Sequence, residues 1–298
     1  MKGLIFCILL FISFNSAAQK VSVTDAYNRF KIGDYNGAIK LYRENLKEDP
    51  PQTLPYLCSM IGQCYLKLDS IDNAKQAFLS AININKTGDF FASLARFESS
   101  NFLAGIYFKE KDYRKALNYY KSSVDTLRKA HLGEFVGPSF MLTNNFQQGR
   151  CYLELNLIDS AIIEMTPQVF HARFDPKQYG YSTLTKTDSL QDANAIGFYL
   201  TLLQKKYSSK QLKKEFELSE EHFEFTETTE RKTMNYLYKH TVCSTYFLGM
   251  TITFFEQTAG LPEDAWPQHN REIYLDKDYQ LDRYKELPIS KLIQALPN

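Results

Sequence analysis

Glycine and proline are scarce, 13 and 10 of 298 residues. That leaves little of the turn chemistry an all-β fold needs. Net charge is nearly absent as well: 35 Lys and Arg face 34 Asp and Glu. A chain so balanced is poorly suited to binding nucleic acid by neutralising phosphates. The motifs of several chemistries are missing. There is no HExxH, and His131, His171, His222, His240 and His269 include no i, i+4 pair. There is no GxSxG, no phosphate-binding glycine-rich loop and no GxGxxG. Paired carboxylates such as Glu220-Glu221 and Glu263-Asp264 read as solvated faces of a charged helical protein. No catalytic residue, metal ligand or cofactor is assigned, and a non-enzymatic protein is expected.

The longest apolar run, Leu4 to Phe14, is broken only by Cys7 and Ser13. It is shorter than the about 20 residues that span a bilayer. Lys2 precedes it, and Ser16 and Ala18 supply small residues before Gln19. This is the three-part pattern of a secretory signal over residues 1–18. Cys7 lies inside the run and Gln19 would begin the mature chain, which argues against a lipid anchor. The signal resembles those of exported, Bacteroidetes-like envelope proteins. It implies a periplasmic or secreted protein with no stable membrane insertion once the signal is removed. The remaining 280 residues carry 34 basic and 34 acidic side chains. They suffice to bury roughly three quarters of the unfolded surface.

Four segments align: 26-AYNRFKIGDYNGAIKLYRENL-46, 62-GQCYLKLDSIDNAKQAFLSAI-82, 104-AGIYFKEKDYRKALNYYKSSV-124 and 149-GRCYLELNLIDSAIIEMTPQV-169. Each opens on a small residue (Ala26, Gly62, Ala104, Gly149). Tyr35, Ile71, Tyr113 or Ile158 follows at the turn, and then an alanine: Ala38, Ala74, Ala116 or Ala161. A bulky residue comes four further on: Tyr42, Phe78, Tyr120 or Met165. Small residues suit positions where paired helices cross closely, and bulky ones at helical spacing fill the gaps between neighbours. Such recurrence marks a helix–turn–helix solenoid.

The pattern resembles the tetratricopeptide repeat, and 33-GDYNGAIKLYRENLKEDP-50 looks like the second half of one. The resemblance implies an all-α fold, an α-α superhelix of helical hairpins over residues 19–172, with a groove that binds a peptide or protein. Mapped onto the first helix of each unit, the inward positions include Gln63, Lys67, Asn101, Lys109, Gln147, Arg150 and Glu154. They mix amides with both signs of charge and differ from the Lys/Arg clusters that grip a terminal carboxylate in chaperone-binding members. The spacing departs from the family period near 34 residues: equivalent positions lie 36, 42 and 45 apart. Residues 89–103 and 117–132 hold few breakers, so the excess reads as lengthened helices.

Residues 173–298 read as a helical C-terminal region: an irregular loop over Phe174–Ser189, then helices over Asp192–Lys206, Lys210–Phe225 and Thr229–Gln257. A polar tail ends in a short helix at Ile289–Leu296. Ala195 or Gly197 could take the small position of a degenerate fifth unit. The region either caps the exposed end of the solenoid or forms a distinct ligand-binding module.

Of the cysteines left after signal removal, Cys64 and Cys151 share one register position and read as buried small hydrophobes. Cys58 and Cys64, six apart on one helix, are too far apart to bridge. Most of the 20 Tyr and 22 Phe fall at core spacing. Trp266, the one tryptophan, sits in 261-LPEDAWPQHN-270 and is either an interface anchor or tucked under as a cap. The expected role is a protein- or peptide-binding scaffold in the cell envelope. Two others remain open: an enzyme or small-ligand module in residues 175–298 with the repeats as adaptor, and an immunity-type inhibitor of a secreted toxin.

Overall fold

A computed structural model describes residues 22–48, 53–84, 90–129, 138–171, 186–233, 236–262 and 277–297. The chain divides into two compact units, Met1–Leu132 and Gly133–Asn298. The first holds three antiparallel helix pairs: α1 (Val23–Lys31) with α2 (Tyr35–Glu48), α3 (Leu54–Lys67) with α4 (Ile71–Asn83), and α5 (Phe90–Lys109) with α6 (Tyr113–Lys129). A fourth pair, α7 (Pro138–Glu154) with α8 (Ile158–His171), opens the second unit. These consecutive packed hairpins are the expected helical architecture. The extra spacing went into helix length: α5 has 20 residues and α6 and α7 have 17 each, against 9, 14, 14 and 13 in α1 to α4.

All four hairpins turn by one backbone device. The first helix ends on a left-handed residue: Gly33 (φ 85°), Asp69 (54°), Lys111 (64°) and Asn156 (59°). Its amide donates to the carbonyl three residues back, as Gly33 does to Phe30 at 3.1 Å. The next amide reaches five back: Asp34 to Arg29, Ser70 to Tyr65, Asp112 to Tyr107 and Leu157 to Tyr152, at 2.8–3.0 Å. This double closure satisfies the last carbonyls of the helix. Asp34 and Asp112 then cap the second helix, accepting from the amides of Gly37 (2.9 Å) and Lys115 (3.2 Å). Leu157 holds the same place with no side-chain acceptor to offer.

The small and bulky positions meet as their sizes require. A Cβ on Gly62 would lie 2.5 Å from the Phe78 ring, and one on Gly149 would lie 2.5 Å from Met165 Sδ. Ala26, Ala38, Ala74, Ala104, Ala116 and Ala161 are fully buried. Phe78 also stacks on Phe102 of the next pair, centroids 5.0 Å apart, so one ring closes its own hairpin and joins it to its neighbour.

In the second unit α9 (Lys186–Lys206) docks on both α7 and α8, as a further first helix would. Ala195 is buried, whereas Gly197 is exposed. Phe198 meets Phe146 edge-on at 5.2 Å, and the Tyr199 hydroxyl shares a 2.7 Å hydrogen bond with Thr166. The helix already covers residues 186–189, where a loop was expected, and the rest of the expected loop lies outside the described residues. Ser208 and Gln211 form a capping box that starts α10 (Ser209–Glu221). This helix packs on the segments Tyr236–Phe247 and Pro288–Gln294 rather than completing a fifth pair with α9.

The helix expected over Thr229–Gln257 is not there. The chain forms a three-stranded antiparallel sheet, β1 (Glu224–Thr233), β2 (Tyr236–Phe247) and β3 (Met250–Pro262), in the order β1-β2-β3. The C-terminal region is therefore mixed, not wholly helical. Leu248 (φ 53°) and Gly249 (φ 76°) form a two-residue turn with both central residues left-handed, the geometry whose twist matches paired strands. Alternation decides the outcome. Cys243, Thr245 and Phe247 on β2 and Ile252 and Phe254 on β3 are buried, with Cys243 opposite Phe254 and Thr245 opposite Ile252. The period of two places these five on one face.

The sheet closes over Tyr284 of α11 (Lys277–Glu286), which is fully buried. Phe216, Phe170, Phe223 and Phe254 surround its ring at 5.2–5.8 Å. Its hydroxyl bonds Ser219 at 2.7 Å, and Thr245 donates to the Ser219 carbonyl. The last helix, α12 (Pro288–Gln294), is the short one expected.

Candidate partner-binding face

Position relative to the small residue of each pair defines one face of the first helices. Residues six and three before it, and one and five after it, recur at spacings of three, four and four, a single helical stripe. In the first unit this stripe comprises Val23, Tyr27 and Lys31 on α1, Tyr56, Ser59, Gln63 and Lys67 on α3, and Glu98, Asn101, Gly105 and Lys109 on α5. Four of the expected site residues belong to it. Lys67 and Lys109 are exposed, with Lys31 in the same register. Gln63 is half-buried and its Nε2 reaches Met60 Sδ at 3.7 Å. Asn101 is half-buried and accepts from Ser123 Oγ at 3.1 Å, which ties it to α6.

The other two described site residues lie together on α7 in the second unit. Arg150 Nη1 donates to Gln147 Oε1 at 3.0 Å, and its guanidinium lies 5.8 Å from the Phe146 ring centre. Glu154, on the same stripe, is exposed. Trp266 lies outside the described residues.

Sequence reasoning missed Tyr27, Tyr56 and Glu98. Counting backwards from the small residue, as well as forwards, would have found them. Glu98 is half-buried, and desolvation raises its carboxyl above the ordinary value. Tyr56 is raised by burial first, then by the nearby charges of Tyr27 and Glu98. Tyr42 is fully buried, and its hydroxyl interacts with that of Tyr56.

Cys58, Cys64, Cys151 and Cys243 are buried thiols, none of them in a disulfide. Burial pushes the Cys58 and Cys64 thiols up to about 11 and Cys151 up to about 12, far from the thiolate a nucleophile needs. The equivalence of Cys64 and Cys151 holds: both sit fully buried two residues after the glycine. A shallow, open depression of about 370 Å³ lies elsewhere, lined by Asn36, Lys40, Arg43, Glu44 and Lys47 of α2 and by Tyr65. Arg43 is spent there on a 2.7 Å bond to the Tyr65 hydroxyl. Among the described residues no group of three His, Cys, Asp or Glu could hold a metal, and no helix is long and apolar enough to cross a membrane.

These features define a helical-hairpin repeat protein whose first helices in the first unit share a stripe with polar and aromatic residues partly exposed on it. Residues 55–87, which cover α4 and all of α3 but its first residue, match the family model of the tetratricopeptide repeat. Repeats of this kind generally serve protein–protein interaction. No curated protein matches the chain.

Proposed function

We propose that this chain is a non-catalytic scaffold of the cell envelope, exported by the signal over residues 1–18, and that it binds an extended protein or peptide segment along the first-helix face. The observation that carries the reading is the stripe of Tyr27, Tyr56, Gln63, Lys67, Glu98 and Lys109, polar and partly exposed on three neighbouring helices. Helices locked by close small–large crossings hold such groups at little further entropic cost. Each hydrogen bond contributes modestly, about 0.5–1.5 kcal/mol, so affinity needs several together.

Affinity capture from the envelope fraction of the native organism tests this reading. The expected result is one stoichiometric protein partner whose binding weakens at least tenfold in the Lys67→Ala/Lys109→Ala double variant, at unchanged melting temperature. Unaltered binding by that variant, together with loss in Trp266→Ala, would move the site to the C-terminal region and overturn the assignment.

A further inference from the structure

The second helix of the first hairpin carries a concentration of positive charge. Lys40, Arg43 and Lys47 stand three and four residues apart on α2, a single stripe of the helix, and all three are exposed. The depression of about 370 Å³ that they line also takes Tyr65 from α3. Like charges at these spacings repel. Lys47, in the last turn, complements the helix dipole, whereas Lys40 and Arg43 lie mid-helix, outside the reach of that effect. Glu44 is the acid among the described lining residues and offsets part of the charge. Three cations against one acid is a local excess in a chain whose net charge is +1.

Arg43 gives the depression its rigid part. Its Nη2 donates to the Tyr65 hydroxyl at 2.7 Å, and its guanidinium carbon lies 6.0 Å from the centre of that ring. Anchoring across to α3 holds in advance a side chain that would otherwise lose freedom on meeting a ligand. The bond engages one of the five N–H donors of the guanidinium, and a hydroxyl that accepts still carries a proton to donate. Arg43 and Tyr65 thus bring donors of one kind to the depression, and Lys40 and Lys47 add an ammonium one turn to either side. Ile39 is buried and, with the Tyr65 ring, supplies apolar lining. Apolar atoms beside cationic donors suit a carboxylate on a short methylene stem.

We infer that this depression docks an acidic segment of a protein partner, with Arg43 taking one carboxylate and Lys40 and Lys47 its neighbours. A shallow, open surface suits a segment lying across it rather than an enclosed small molecule. Lys40 and Lys47 are about 10 Å apart along the axis at 1.5 Å per residue. An extended segment presents side chains on one side about every 6.6 Å, so acids at alternate positions span most of that row. Charge-assisted hydrogen bonds are the strong ones, and the planar fork of Arg43 matches a carboxylate. Neither α2 nor Tyr65 belongs to the first-helix stripe, so this site is independent of the binding face proposed above.

A short peptide of alternating Glu and Ser, blocked at both termini and titrated with the full chain, tests the inference by fluorescence anisotropy. The expected result is saturable binding that weakens as salt rises and that the same peptide with Gln in place of Glu does not show. Lys40→Ala/Lys47→Ala, at two exposed positions, should weaken it about tenfold with the melting temperature unchanged. Arg43→Lys keeps the charge, loses the fork and should also weaken it. No binding beyond that of the Gln peptide, or binding that survives Lys40→Ala/Lys47→Ala, would overturn the site. Loss in Lys67→Ala/Lys109→Ala instead would place the acidic segment on the first-helix face and overturn this assignment alone. Displacement by inorganic phosphate at the peptide's own concentration would overturn it as a site for carboxylates.

Discussion

The α3/α4 pair and the core around Tyr284 both bury large aromatic rings, by opposite means. In the hairpin a glycine makes room: Phe78 lies where a side chain at residue 62 would have been, and the ring needs no polar partner. Around Tyr284, four phenylalanines from α8, α10, the chain before β1, and β3 gather on a ring whose hydroxyl must be satisfied, and Ser219 satisfies it. The hairpin solution uses residues 16 apart and can be repeated along a chain. The second draws on residues from Phe170 to Tyr284 and occurs once. Local interiors can be copied, and long-range ones have to be assembled.

The largest effect should follow from Tyr284→Ala, which removes a fully buried ring from among four phenylalanines. A loss of about 3–5 kcal/mol is expected. Hydrogen exchange should show protection falling in β2, β3 and α10 while α3 and α4 keep theirs. Equal loss in α3 and α4 would mean that the two interiors fold as one cooperative body. Next comes Gly62→Val, whose branches enter the Phe78 ring, at about 1–3 kcal/mol by chemical denaturation. Adding Phe78→Leu should recover part of that cost. Strict additivity of the two changes would break the size-matching account.

Smaller effects concern the turns. Leu248 is a branched apolar residue held left-handed at 53°, so Leu248→Asn should stabilise by about 1 kcal/mol, read as a higher urea midpoint. Leu157→Asp copies the caps of Asp34 and Asp112 into the fourth hairpin and should add about 0.5–1 kcal/mol. No gain would show that the α7/α8 turn differs from its counterparts in more than its cap.

The smallest effect is on pH dependence. Asp34 is held below the ordinary carboxyl range by the Gly37 amide and Arg29, and Asp112 by Lys115. A lowered folded value means that their contribution is complete above the unfolded value of about 3.9 and is lost as pH falls through the folded one. The stability difference between the native chain and Asp34→Asn should therefore be constant from pH 5 to 8 and shrink only below about pH 4. A difference that changes near neutrality would point to another titrating group.

The hairpins were legible because their information is local. The small residue, the turn, the alanine and the bulky residue lie within about twenty positions, and helical geometry converts that spacing into contact. The sheet was not read, although its signs were present. 241-TVCSTYF-247 and 251-TITFF-255 alternate with a period of two and are rich in β-branched and aromatic residues. Leu248-Gly249 interrupts them where a strand turn falls, but the abundant aromatics at helical spacing elsewhere made a long helix the nearer reading. The site divided in the same way. Gln63, Lys67, Asn101 and Lys109 were found by counting from the repeat, whereas the seclusion of Glu98 beside Tyr56 depends on how α3 and α5 pack.

By itself the sequence determined the hairpins, their lengthening and the places of closest approach, since a glycine opposite a ring follows from spacing within one pair. Only the tertiary structure decided that α10 turns away to support a sheet, that Asn101 is bound to Ser123, and that the Glu98 carboxylate is half-buried. Those outcomes depend on burial by residues far apart in the chain. Desolvation, unlike helical periodicity, leaves no mark in the order of the residues.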